Sequence, residues 1–222
     1  MRIGFDVDGL LARFTTAYQQ LVVDVAGVDL FQPDDATNPP CWSWPQYRGY
    51  DTDTVDKAWG RIKGSHDFWM SLSELPDCCT LRTLMLDLLR WHEVYFVTGR
   101  VGKDVKWQTE QWLRLHLQMD LPTVLISSEK GLVAKALKLD VYVDDNADNV
   151  NDVVFKTIPD RGVSVPFGIP DGALSEPFTR VYLIDKSYNR PPGVPEEPVT
   201  VDGRVTRVAT LGQMFDRELH NL

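Results

Sequence analysis

Asp6 and Asp8, one residue apart in "GFDVDGLLA", close the first apolar run of the chain. At a strand end where the backbone turns, two such carboxylates can face one crevice, one as nucleophile and the other as general acid and base. An aspartate nucleophile suits phosphoryl transfer through an aspartyl phosphate. That chemistry demands neutralisation of the transferred group by a divalent metal together with Lys, hydroxyl or backbone N–H groups. The rest of the chain supplies those parts: Thr98 with Gly99 and Arg100, Lys130 at an expected helix start, and the Asp144/Asp145 pair. Oxygen ligands without nearby histidine favour Mg²⁺ over zinc. An Asp-Gly pair can also be a plain turn, as "TVDGRV" (200–205) illustrates, so the assignment rests on the whole set.

Stepping from these groups to the elements that carry them, β-rich runs recur at 2–7, 93–98, 122–127, 140–145 and 180–185. Helical spacing joins Leu81, Leu84, Leu88 and Trp91 in one segment and Trp107, Trp112 and Leu115 in another. Strands separated by helices predict an α/β, Rossmann-like parallel sheet with right-handed crossovers. Ligands then bind beyond the carboxyl ends of the strands, which selects Asp6/Asp8, Thr98, Ser127/Ser128 and Asp144/Asp145. About eighty residues separate the first two runs, far more than a crossover helix needs. A small, mainly helical cap is therefore expected at 15–76, with the core formed by 1–14 and 77–222. Within the core, the Pro-rich stretch 190–198 is expected to be extended, and a last strand and helix return to the sheet.

The bulk numbers narrow the partners. At 222 residues the chain can build one sizeable core. A net charge of −9 disfavours a stripe that holds duplex nucleic acid but leaves room for a local basic pocket. Three cysteines without a C-x-x-C pair fit a reducing, cytoplasmic setting. Neither an export leader nor a membrane span is expected from the apolar patterning. "DDNADN" departs from a calcium loop at Asn149 and Phe155, and "TGRVGKD" lacks the Ser/Thr and spacing of a Walker loop.

The set "GFDVDGLLA", "VYFVTGR", "SSEKG" and "VYVDDNADN", in this order, resembles the four motifs of the haloacid dehalogenase (HAD) superfamily of aspartate-dependent phosphohydrolases. The resemblance implies that Asp6 is the nucleophile and that Asp8 is the general acid, later the base that activates water. It implies that Thr98 binds the phosphoryl group and Lys130 neutralises it. Asp145, with Asp6 and the Asp8 carbonyl, would hold Mg²⁺, and Asp144 would act in the metal's outer shell. More loosely, "DFWMSLSELPD", "KWQTEQWL", "RVYLIDKSYNRP" and "RVATLGQMF" are similar to 5'(3')-deoxyribonucleotidases and their phage and bacterial relatives. Arg13, where those enzymes often have Asp, and "TGR" in place of Thr-Ser are departures.

The expected reaction is Mg²⁺-dependent hydrolysis of a small phosphomonoester, preferably a (deoxy)nucleoside monophosphate. The alternatives are a polynucleotide 3'-phosphate, a small phosphorylated metabolite, or a catalytically silent binding protein of the same fold. Gly99 and Arg100 are expected to border the substrate. Of the cap aromatics Trp42, Trp44, Trp59, Phe68 and Trp69, each can simply fill the cap core, but one or more can stack a base; Trp44, Phe68 and Trp69 are the chosen candidates.

Overall fold

The computed structural model describes residues 1–75, 78–157, 179–189, 200–201 and 205–219. In chain order the strands are β1 (Arg2–Phe5), β2 (Glu93–Thr98), β3 (Thr123–Ile126), β4 (Val141–Asp144), β5 (Arg180–Ile184), β6 (Thr200–Val201) and β7 (Val205–Val208). The helices are α1 (Phe14–Ala26), α2 (Trp44–Tyr47), α3 (Thr52–Gly64), α4 (Cys78–Trp91), α5 (Val105–Leu117), α6 (Lys130–Leu137), α7 (Ala147–Thr157) and α8 (Leu211–Leu219). All five expected strands form, as do the closing strand and helix. The 190–198 stretch, Asp202 and Gly203 of the Asp-Gly control, and His220 lie outside the described residues.

The strands form one sheet in the order β3-β2-β1-β4-β5-β7-β6, parallel except for β6, which pairs antiparallel with β7. Two apolar faces make these strands near-continuous hydrophobic runs. Ile3, Phe5, Phe96, Val141 and Val143 pack on one side with Met85 and Leu88 of α4, Trp112 and Leu113 of α5, and Phe215 of α8. Val97, Tyr142, Val181 and Leu183 pack on the other with Ala134 of α6 and Val150 and Val153 of α7. With β2 on one flank of β1 and β4 on the other, the strand order reverses at β1. The crevice outside its carboxyl end is where such a sheet binds ligands.

The chain leaves β1 through a tight loop in which the N–H groups of Leu11 and Ala12 both donate to the Val7 carbonyl at 2.9 Å. It then runs through α1, α2 and α3 and returns beside its own exit. There the Arg13 N–H donates to Ser73 O at 2.8 Å and the Leu75 N–H to Leu11 O at 2.9 Å. These bonds hang the helical segment over the end of β1. A bidentate Arg48–Asp35 pair, 2.7 Å at both contacts, ties the long loop between α1 and α2. Ser187 Oγ donates to Pro39 O at 2.7 Å and fixes that loop to the chain beyond β5.

Two helix faces differ from their expected ones. Leu88 of α4 is buried, but Trp91 is 80% exposed and Met85 takes an inward position. On α5, Trp112 is buried whereas Trp107 and Leu115 face outward. Polar Gln108 and Thr109 occupy its buried face because they have partners there. The Gln108 amide accepts from Trp69 N at 2.9 Å and donates to Lys103 O at 2.8 Å. Thr109 Oγ1 accepts from Arg100. Apolar spacing alone misses a helix face built on satisfied polar groups.

Candidate active site

β1 delivers Asp6 one residue past its end, where its N–H still donates to Val143 O of β4 at 2.9 Å. β2 ends on Thr98 and β4 on Asp144, followed by Asp145. α6 begins with Lys130, whose ammonium reaches across β2 and donates to Asp6 Oδ1 at 2.6 Å and to the Val97 carbonyl. Lys130, Asp6, Thr98, Arg100, Asp144 and Asp145 are all buried. α6 lies close to α7 because Gly131 has no side chain: a Cβ there would meet Asp152 O at 2.4 Å.

Carboxylate oxygens of Asp6, Asp144 and Asp145 lie within 4.8 Å of one another. Burial pushes the Asp6 carboxyl up to about 7 despite the opposing pull of Lys130. Burial together with the Asp6 charge pushes Asp145 up to about 7. Burial raises Asp144 to about 6, again against Lys130. One ammonium, that of Lys130, does not offset the burial and mutual repulsion of three carboxylates this close, and full ionisation calls for further positive charge. An all-oxygen donor set suits a hard divalent ion, so the residues present fit one.

The surrounding groups orient the cluster. Asp144 accepts from Tyr142 OH at 2.7 Å, from Asn149 Nδ2 at 3.0 Å and from the Asn146 N–H at 2.8 Å. Asp145 accepts from the Tyr188 hydroxyl, and its backbone carbonyl accepts from Asn189 Nδ2 at 2.6 Å. Arg207 of β7 braces Asn189 Oδ1 at 2.7 Å and Asp185 at 2.8 Å. Gly9 permits the approach of Asp145 to the β1 loop: its φ is +73°, and a Cβ would lie 1.9 Å from Asp145 Oδ2. The Asp-Gly pair here thus serves both turn and site.

Asp8 sits at the rim, half-buried, in a bidentate pair with Arg100 at 2.9 and 2.8 Å. Arg100 NH1 donates to Thr109 Oγ1 at 3.1 Å, and the guanidinium lies over the Trp69 ring, 5.1 Å from its centroid. Its own N–H donates to Thr98 Oγ1 at 3.3 Å. Arg100 therefore borders the crevice mainly as a clamp on Asp8.

A cavity of about 310 Å³ joins these groups to the helical segment. Gly99, Ser128 and Lys130 line its sheet side, and Phe14, Trp42, Trp59 and Trp69 its opposite wall. Trp44 does not border it: the ring is buried, edge-on to Tyr18 at 5.4 Å. Phe68 packs edge-on against Trp69 at 5.1 Å and does not border it either. The sequence reading passed over Phe14, Asn146, Asn149 and Tyr188. Tyr188 and Asn189 lie in the short 3-10 turn beyond β5 rather than at its carboxyl end, so strand-end spacing does not select them, and only the fold carries them to Asp145.

No protein-family profile and no curated protein sequence matches the chain. Solved structures do. A HAD family hydrolase from Deinococcus radiodurans with bound phosphate and sodium aligns over 99% of this chain and 95% of its own, at 14% identity and a TM-score of 0.52. A candidate phosphoglycolate phosphatase from Lactobacillus plantarum aligns over 97% of both chains, at 13% identity and a TM-score of 0.54. A candidate HAD hydrolase, YfnB, from Bacillus subtilis bound to magnesium aligns over 100% of this chain and 98% of its own, at 11% identity and a TM-score of 0.53. The chain has the α/β, Rossmann-like fold of the HAD hydrolases.

Proposed function

We propose that this protein is a Mg²⁺-dependent phosphomonoester hydrolase working through an aspartyl phosphate on Asp6, and that its substrates are (deoxy)nucleoside monophosphates. The observation that carries the reading is the contact of Lys130 with Asp6 inside a buried three-carboxylate cluster, with Asp8 clamped beside it. An Asp6 carboxylate oxygen attacks phosphorus and the ester P–O bond breaks. Asp8 gives its proton to the leaving alkoxide. Asp8 then takes a proton from water as that water attacks phosphorus, releasing phosphate and restoring the Asp6 carboxylate. Lys130 and the Thr98 hydroxyl face the phosphoryl oxygens, whose charge needs preorganised donors. Asp6, Asp145 and the Asp8 carbonyl would hold Mg²⁺, with Asp144 supporting them; when bound, the ion supplies charge neutralisation at the phosphoryl group.

The aromatic wall supports the nucleotide part of the reading. Phe14 stacks on Trp59 at 5.8 Å and on Trp69 at 5.6 Å; Trp42 packs on Tyr188 at 4.8 Å but stays half exposed on the cavity lining, with ring surface that can stack a base. A cavity of about 310 Å³ suits a small molecule. Among the described residues no helix is long and apolar enough to cross a membrane. Phosphate release measured with Mg²⁺ across deoxy- and ribonucleotides, sugar phosphates and a 3'-phosphorylated oligonucleotide tests the assignment. Preference for nucleoside monophosphates supports it, and equal or better turnover of the sugar phosphates or the oligonucleotide overturns the substrate class.

A further inference from the structure

Behind the Gly9 loop lies a second cavity of about 180 Å³, which shares no lining residue with the reaction crevice. Arg13 and Lys186 border it, together with Thr15, Thr37 and Tyr188. The chain carries a net charge of −9, and its buried arginines are paired, Arg100 with Asp8 and Arg207 with Asp185, as is half-buried Arg48 with Asp35. Neither Arg13 nor Lys186 forms an ion pair among the described residues, although Lys186 lies close enough to Asp145 to attract its carboxylate. The Arg13 Nε is moreover buried without any acceptor. A buried guanidinium donor left unmet is costly, and such groups call for a bound water or ion.

We infer that this cavity is a second oxyanion site, taking a phosphate ion or the terminal phosphoryl group of a small molecule between Arg13 and Lys186. Arg13 offers a planar fork of donors suited to phosphate oxygens, and Lys186 a mobile point charge. Two cations facing one cavity repel each other, the described lining holds no carboxylate, and a dianion removes that repulsion. The cavity also adjoins the first turn of α1, whose N-cap residue, Arg13, makes no side-chain capping bond. Its wall is held in place by bonds already made: Thr15 Oγ1 donates to Ala36 O at 2.7 Å, and the Tyr188 hydroxyl is engaged by Asp145. Neither cation contacts Asp6, Asp8 or Lys130, so the site does not require the hydrolytic reading, although Tyr188 in its wall bonds Asp145 and Lys186 lies within electrostatic range of that carboxylate.

Calorimetric titration of the full chain with inorganic phosphate in metal-free buffer tests this. Binding should weaken by about tenfold or more in Arg13→Gln and in Lys186→Gln, the loss of one charge-assisted contact each. Arg13→Lys should retain most of it, and Lys130→Gln, which alters the reaction crevice, should leave it within about twofold. Should Arg13→Gln fail to fold, as judged by circular dichroism, Lys186→Gln carries the same expectation. Displacement by sulfate but not by glycerol phosphate assigns a free-ion site, and displacement by both assigns a site for carried phosphoryl groups. No phosphate binding in the unaltered protein, or binding unchanged by Lys186→Gln or lost in Lys130→Gln, overturns the inference.

Discussion

Arg100 holds Asp8 by two parallel contacts, Nε to Oδ2 at 2.9 Å and NH2 to Oδ1 at 2.8 Å, while its third nitrogen is anchored on Thr109 of α5. A fork-to-fork pair fixes the carboxyl plane as well as its position. If Asp8 delivers the proton to the leaving group, the clamp matters most when that group is a poor one. Arg100→Gln should lower kcat on an alkyl phosphate by about 10²-fold and on p-nitrophenyl phosphate by much less, because p-nitrophenolate leaves without protonation. Arg100→Lys should fall between, since an ammonium cannot reproduce the fork. Equal losses on both substrates would show that Arg100 serves binding or folding instead.

The acidic cluster makes stability depend on pH in a defined direction. Asp6 and Asp145 are raised by burial from the ordinary 3.8 to about 7. The folded state therefore holds protons that the unfolded state has released between about pH 4 and pH 7. Stability from these groups is fully present below pH 4 and is lost as pH rises through 7. A divalent ion replaces the protons, so Mg²⁺ should raise the Tm clearly at pH 8 and little at pH 5. Thermal melts with EDTA and with Mg²⁺ at the two pH values check this; a larger Mg²⁺ effect at pH 5 would contradict it.

The aromatics of the helical segment between β1 and β2 divide into wall and filler. Trp42→Ala should raise KM for a nucleoside monophosphate and leave p-nitrophenyl phosphate hydrolysis nearly unchanged, because only the first substrate has a base to stack. Trp44 is buried beside Tyr18, so Trp44→Ala should cost roughly 3–5 kcal/mol of stability. Kinetics on both substrates and denaturant melts of both variants separate the roles. Parallel losses on the two substrates in Trp42→Ala would remove the stacking role.

Gly9 is the residue that lets the β1 loop meet Asp145. Gly9→Ala forces a Cβ into the carboxylate and strains a positive φ. It should weaken Mg²⁺ binding measured by calorimetry while the far-ultraviolet circular dichroism is kept. Unaltered affinity would show that Asp145 is not held where the ion binds.

The sheet was legible because buried parallel strands are short apolar runs, and each ended where a chemistry-bearing group stood. Asp6, Asp8, Thr98, Asp144 and Asp145 come together in space from their strand ends, and Lys130 joins them from the start of α6. The aromatic wall was less legible: Trp42, Trp44 and Trp59 are alike in sequence, and only the packing of α2, α3 and the loop before them decides which ring reaches the cavity. Burial of Gln108 and Thr109 was hidden for a similar reason, since their partners are Trp69 N, Lys103 O and Arg100, remote or loop groups that no helical period encodes. The Tyr188 contact with Asp145 joins a residue of the turn beyond β5 to one that follows β4.

The proposed reaction stands or falls with phosphorylation of Asp6. Acid quenching during turnover of a phosphomonoester with Mg²⁺, followed by borohydride, reduces an aspartyl phosphate to homoserine. Peptide mass spectrometry should find homoserine at position 6 only when substrate is present, and Asp6→Asn should abolish both this signal and turnover while Asp8→Asn lowers kcat. Homoserine at another aspartate, or turnover retained by Asp6→Asn, would contradict the account.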